Sequence, residues 1–293
     1  MPSRPRLHID LVCFRQIAIT HHVAHAKGVL LSGYFQPTAE AAGLSTAPHF
    51  CAPRTPVIAR FSNSTGLPEI RDTDPNSNPK GLAVRFKLGD RKHTDIISHS
   101  TPYFPTRTGE EFLQLLGAIQ NGTIESFLDQ HPAAKAFVSA PKPTPEGFGT
   151  LSYYGINAFI MVNAAGEETF VRYTFAPVME KFIDEEVKRP DNFLFDSLPD
   201  TLANGGIVFR LLAQIAQAGD VTDDATVHWE SDRRTVELGS VVLESTVEDS
   251  KGEEKKIIFD PIPRVDGIEP SLDPLLQMRA DVYLISGKGR RGA

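Results

Sequence analysis

Eight short runs rich in β-branched and aromatic residues, in two groups of four, set the strongest limit on how this chain folds. The first group is Val29 to Phe35, Val57 to Ser62, Leu82 to Leu88 and Asp95 to Ser98. The second is Asn157 to Val162, Thr169 to Phe175, Ala225 to Glu230 and Thr235 to Glu244. Each is bounded by Gly, Pro, Asn or Asp, the signature of a strand between turns. Ala164-Ala165-Gly166-Glu167 separates two of them as a hairpin loop. In the second run Val57, Ala59 and Phe61 alternate with Ile58, Arg60 and Ser62. Successive side chains of a strand point to opposite faces, so Arg60 and Ser62 share one face and Phe61 takes the other.

Helical periodicity lies between and after these runs. Gly109 to Gln120 places Phe112, Leu115, Leu116 and Ile119 three and four apart, and Leu198 to Ala218 carries a similar stripe through Ile207, Leu211, Leu212 and Ile215. Asp273 followed by Pro274 reads as an N-cap and a first helical residue. Pro141 to Gly149 is a loop, and the charged run Glu248 to Lys256, with Gly252 inside it, is a solvated turn. Strands in groups with segregated helices make an α+β arrangement. Eight strands can close into a barrel whose interior is filled by side chains or holds a small ligand. With no linker and no repeat, residues 1–293 form one domain, with an N-terminal arm over 1–20 and a C-terminal tail over 284–293.

Charge and cysteine content exclude several functions. A formal net charge of −7 argues against a nucleic-acid partner, which would want a basic face. Lys288, Arg290 and Arg291 are a short basic run in a solvated tail. No stretch approaches the ~18 apolar residues of a membrane span, and His8, Asp10 and Arg15 interrupt the N-terminus where a signal peptide would need an apolar run. Cys13 and Cys51 have no metal-ligand spacing and read as reduced thiols, which points to the cytoplasm.

The chemistry begins on the helix after Pro274. Arg279 and Tyr283 are four apart and project from one face. A guanidinium held beside a phenol favours the phenolate. A phenolate binds ferric iron, and tyrosine is one of the few proximal ligands used for haem. Alone, this spacing is an ordinary surface contact. A second set of residues gives it meaning: His21-His22-Val23-Ala24-His25-Ala26-Lys27-Gly28, Thr55-Pro56-Val57-Ile58-Ala59-Arg60-Phe61-Ser62-Asn63, and Asn78-Pro79-Lys80-Gly81-Leu82-Ala83-Val84-Arg85-Phe86. Asp95-Ile96-Ile97-Ser98-His99-Ser100-Thr101-Pro102 and Gly267-Ile268-Glu269-Pro270-Ser271 complete it. Taken in order, these segments resemble the haem catalase superfamily over nearly the whole chain. Its reduced members, the catalase-related peroxidases of minimal-catalase type, are the best match for the length.

The resemblance implies a catalase-like fold. That is an eight-stranded antiparallel β-barrel with surrounding helices, haem b (iron) between barrel and last helix, and no C-terminal helical domain of the kind full-length catalases carry. It implies His25 as the distal proton shuttle, Ser62 as the serine that orients it, and Tyr283 as the iron ligand with Arg279 beside it. Arg60 and Arg290 match arginines that pair with haem propionates, and Phe61 and Phe112 match aromatics near the haem. As phenylalanines these two could equally be plain core. Two positions depart from the pattern. His99 stands where a catalase has asparagine, and brings bulk and a charge that varies with pH. His22 stands where an arginine usually faces a propionate.

The implied activity is reduction of hydrogen peroxide or an organic hydroperoxide by a small organic electron donor, with weak catalase activity. Two alternatives stay open: a fatty-acid hydroperoxide rearrangement of the allene oxide synthase kind, and a non-catalytic haem-binding protein. The resemblance also implies a homo-oligomer.

Overall fold

The computed structural model describes residues 25–184 and 187–292. Nine strands form one sheet: β1 (Gly28–Pro37), β2 (Thr55–Ser62), β3 (Gly81–Gly89), β4 (Lys92–His99), β5 (Tyr153–Val162), β6 (Glu168–Pro177), β7 (Ile207–Ile215), β8 (Thr235–Thr246) and β9 (Ile268–Pro270). Their order is β4-β3-β2-β1-β8-β7-β6-β5-β9, every named neighbour pair being antiparallel. One further pairing, His99 with Tyr154, joins β4 to β5 and closes eight strands into a barrel. The ends of an open sheet leave unpaired edges, and closure removes them. β9 lies outside the ring against β5.

Period-two alternation fills the barrel. Phe35, Phe61, Phe86, Tyr153, Phe175 and Phe209 point inward and are fully buried. Phe61 stacks on Phe148 at 4.9 Å with the rings 9° apart. The loop between β5 and β6 is a side-chain-capped turn, in which Asn163 Oδ1 accepts from the backbone N–H groups of Ala165 and Glu167.

The helices are α1 (Ala39–Leu44), α2 (Pro48–Cys51), α3 (Gly109–Gln120), α4 (Ile124–Gln130), α5 (Pro132–Ser139), α6 (Phe193–Asp196), α7 (Leu198–Ala203), α8 (Ser250–Lys256) and α9 (Pro274–Gly292). The amphipathic stretch at Gly109–Gln120 is a helix capped by Thr108, whose side chain accepts from the Glu111 N–H. Asp273 caps α9, its Oδ1 taking the Leu275 N–H at 2.9 Å.

Four expectations are corrected. The stripe read as one helix from Leu198 to Ala218 is α7 followed by strand β7. Ile207, Phe209, Leu211 and Ala213 face inward, while Val208, Arg210 and Gln214 lie on the other face. Ala225 to Glu230 is not a strand, and its place in the barrel belongs to β7. Glu248 to Lys256 is not only a turn, since it contains α8, capped by the Asp249 side chain on the Gly252 N–H. Residues 284–292, read as a tail, continue α9. The proposed arm over 1–20 lies outside the described residues, as does Cys13, whereas Cys51 is an exposed free thiol. No described helix is long and apolar enough to cross a membrane.

Candidate active site

The register of β1 to β4 builds one wall of the site. Gly28 pairs with Ser62, Ser62 with Gly81, and Gly81 with His99. These four residues therefore form a row across the sheet, and paired residues point the same way. Glycine at 81 leaves a gap between Ser62 and His99, and the His25 ring occupies it. A Cβ on Gly81 would lie 2.6 Å from Ser62 Oγ and 2.9 Å from His25 Nδ1, so any side chain there would displace both. His25 has a φ of 60°, a left-handed conformation uncommon for residues with a side chain. It bonds Ser62 Oγ through Nδ1 at 3.0 Å, which leaves Nε2 for the cavity.

A buried carboxylate anchors the chain on either side of this pair. Asp72 accepts from Lys27 at 2.7 Å, from Asn63 at 2.7 Å and from the Leu194 N–H at 2.8 Å. Lys27 is two residues after His25, and Asn63 directly follows Ser62. Asp72 thus ties the two strand ends that carry the histidine and its partner. Such a centre is retained only when every lone pair is used, because desolvation of the ions is costly.

His25, Ser62, Arg60, His99, Phe112, Arg279, Tyr283 and Arg290 all line one cavity of 1460 Å³. Phe61 does not. It lies on the opposite face of β2 and packs in the barrel core, as strand alternation requires. Phe112 stacks against Phe104 at 5.7 Å, an aromatic neighbour that sequence reading missed. His22 lies outside the described residues.

α9 supplies a second wall. Arg279 Nε donates to Tyr283 Oη at 3.3 Å, and its Nη1 donates to Asn157 Oδ1 at 2.5 Å. Asn157 Nδ2 in turn donates to Asp273 Oδ2 at 2.8 Å. The carboxylate that caps the helix therefore also anchors, through Asn157, the guanidinium one turn and a half later. Asn157 carried no signal in the sequence, because its partner is distant in the chain. Nearby, Arg60 donates through Nε and Nη2 to Glu254 Oε2. Arg290 donates to Ser286 Oγ and to the Ile257 carbonyl, while its buried Nε has no partner among the described residues.

Burial sets the protonation of the imidazoles. Desolvation, with the Arg60 charge adding to it, lowers His25 from 6.5 to about 4. Desolvation, then Arg279, lowers His99 to about 3. Both rings are neutral near pH 7. His99 Nδ1 accepts the Thr101 N–H at 3.3 Å, which assigns the ring proton to Nε2. Burial thus moves the charge change expected of His99 from the usual histidine range to about 3, well below neutrality. What remains of its departure from asparagine is size.

His49, inside the barrel among Phe35, Phe50 and Phe86, is likewise lowered by burial to about 3. An unfolded chain takes up protons below 6.5 that these three folded rings refuse until about 4 or 3. Stability is therefore lost as pH falls through that window, by about 1.4 kcal/mol per pH unit for each histidine, and is unaffected by them above it. His49→Leu is expected to flatten this acid limb, read by urea unfolding near pH 7 and about pH 5. An unchanged slope would show that His49 does not contribute a buried neutral ring.

The donor set suits the haem that the resemblance implies. A phenol oxygen held by a guanidinium, two further guanidiniums for carboxylates, and an apolar lining with Phe104, Phe112, Met278 and Val282 match its chemistry. The buried Arg290 Nε, unpaired among the described residues, is a donor that a haem propionate would suit.

Comparison with known proteins shows the family. The family profile described as Catalase matches residues 7–293. A catalase-related peroxidase of Mycolicibacterium paratuberculosis is 35% identical over 280 residues, spanning 92% of this chain and 88% of that protein. One from Synechococcus elongatus is 31% identical, over 92% and 83%. Catalase-2 of Arabidopsis thaliana is 27% identical, covering 96% of this chain and 62% of the plant protein. The crystal structure of a fungal catalase superposes on 97% of this chain and 62% of its own, with a TM-score of 0.83 at 21% identity, which shows the shared fold. The chain belongs to the catalase family, a family of peroxide-consuming oxidoreductases.

Proposed function

We propose that this protein is a haem b peroxidase that reduces hydrogen peroxide or an organic hydroperoxide at the expense of a small organic donor. One observation carries the reading. The His25–Ser62 pair and the Arg279–Tyr283 pair face the same cavity. Tyr283 would hold the iron through its oxygen, and Arg60 and Arg290 would hold the propionates. Bound there, the haem iron supplies the electrons that cleave the peroxide O–O bond.

The chain's own groups manage the proton. Burial keeps the His25 ring neutral near pH 7, and in the tautomer whose Nδ1–H donates to Ser62 Oγ the free base is Nε2. It takes the proton from one peroxide oxygen and returns it to the other, so that water leaves. His99 offers an Nε2–H, a neutral donor that orients the peroxide as an amide N–H would. Tyr283 and Arg279 stay fixed throughout, because Asn157 and Asp273 brace the guanidinium.

The apolar lining favours an organic donor. Phe104, Phe112, Leu116, Ile119, Phe137 and Val138 give the cavity a wall that a small peroxide does not need. His99 also crowds the space where a second hydrogen peroxide must sit for oxygen release. Purified haem-loaded protein is therefore expected to oxidise a phenolic dye in competition with oxygen release, and His99→Asn to move the ratio toward oxygen. Paired oxygen-electrode and dye assays test this, with lipid-hydroperoxide decay in the absence of donor as a third arm. Oxygen release at full catalase rates, lowered by His99→Asn, would show that the imidazole replaces the amide fully. Lipid-hydroperoxide decay without donor would favour rearrangement over reduction.

A further inference from the structure

Helix α8 and the residue after it reach two arginines that line the cavity, Arg60 and Arg290, and the neighbouring Arg291. Glu254 accepts from Arg60 at 3.2 Å and 3.0 Å. The carbonyl of Ile257, just past the helix end, accepts from Arg290 at 2.9 Å, and that of Lys256 accepts from Arg291. The last carbonyls of a helix are unpaired and carry partial negative charge, so guanidiniums are at home there. Glu254 is no surface group: its side chain is 13% exposed and that of Arg60 is 7% exposed. The backbone allows the approach, since a Cβ on Gly28 would lie 2.3 Å from Arg60 Nη2.

The edge used is informative. Nε and Nη2 both go to one oxygen of Glu254, which fixes the guanidinium plane. Nη1 takes no partner among the described residues and belongs to a side chain that lines the cavity. Arg290 stands on the same cavity, and its charge and that of Arg60 repel. Two cations against one buried carboxylate leave one positive charge for a ligand. A second carboxylate, arriving from the cavity, completes the balance.

We propose that Glu254 is a positioning residue: it clamps the side edge of Arg60 so that the end edge faces a haem carboxylate next to Arg290. The inference rests on the haem reading above. It makes α8 a part of the haem site, although Glu254 itself does not line the cavity.

The test is a double-mutant cycle on haem release. Loaded wild type, Glu254→Ala, Arg60→Ala and the double variant are each mixed with excess apomyoglobin, and haem transfer is followed in the Soret band. Glu254→Ala is expected to release haem about 10- to 100-fold faster, the usual cost of losing a group that orients a ligand-holding side chain. In the Arg60→Ala background the same change should add no further acceleration, because the effect passes through Arg60. Should the alanine variant fail to fold, Glu254→Gln carries the same cycle with the shape kept and the charge removed. Equal acceleration in both backgrounds would mean a general structural role and overturn the proposal. So would release rates within twofold of wild type. A wild-type protein that takes up no haem overturns the haem reading itself, and this inference with it.

Discussion

Tyr283→Phe is expected to bind haem at least about a hundredfold more weakly, about 2.7 kcal/mol, because phenylalanine offers no oxygen to the iron. The size of the effect follows from the rest of the wall. Arg279, Asn157 and Asp273 form a chain of hydrogen bonds whose end is the Tyr283 oxygen. Arg279, the member of that chain that touches the Tyr283 oxygen, carries only donors and cannot replace the ligand. The substitution leaves the ring and its packing in place, so the fold should be preserved. Haem titration followed by absorption, with thermal unfolding of the haem-free protein alongside, checks both halves. Equal haem affinity in the variant would remove Tyr283 from the iron.

His25→Ala is expected to keep haem and to react with peroxide about 10²- to 10⁴-fold more slowly, the usual range for a lost general acid–base group. The pH profile sharpens this. His25 is a free base down to about 4, so the wild-type rate should stay flat from neutrality until the pH nears that value, then fall as the ring takes up a proton. An unperturbed histidine would lose activity already through its ordinary 6.5. Stopped-flow mixing with peroxide gives both results. A variant within a few-fold of wild type would transfer the proton shuttle to another group, with His99 the nearest candidate.

Much of this site was readable in the chain because its signals are local. Arg60 and Ser62 share a face by strand alternation, Arg279 and Tyr283 by helical spacing, and Asp273-Pro274 marks the helix start. The same alternation also placed Phe61 away from the cavity. What was not legible depends on partners far apart in sequence. Asn157 and Glu254 are an unremarked strand amide and one acid in a charged run until the barrel closes and α8 docks. The charge state of His99 likewise depends on burial, which spacing does not reveal. The one strand misread as helix shows a limit of periodicity. Ile207, Leu211 and Ile215 lie four apart and fit either period, and the inward Phe209 with the preceding Gly205-Gly206 pair were the better guides.

In the function proposed above, the Tyr283 oxygen would hold the iron of a haem bound in this cavity. Resonance Raman spectroscopy of the haem-loaded wild type, prepared with and without ring-deuterated tyrosine, tests it most directly. Tyrosine ring modes enhanced through the iron–oxygen charge transfer, and shifted by the label, are the predicted result, and they should vanish in Tyr283→Phe. A haem spectrum with no label-sensitive mode would contradict the account.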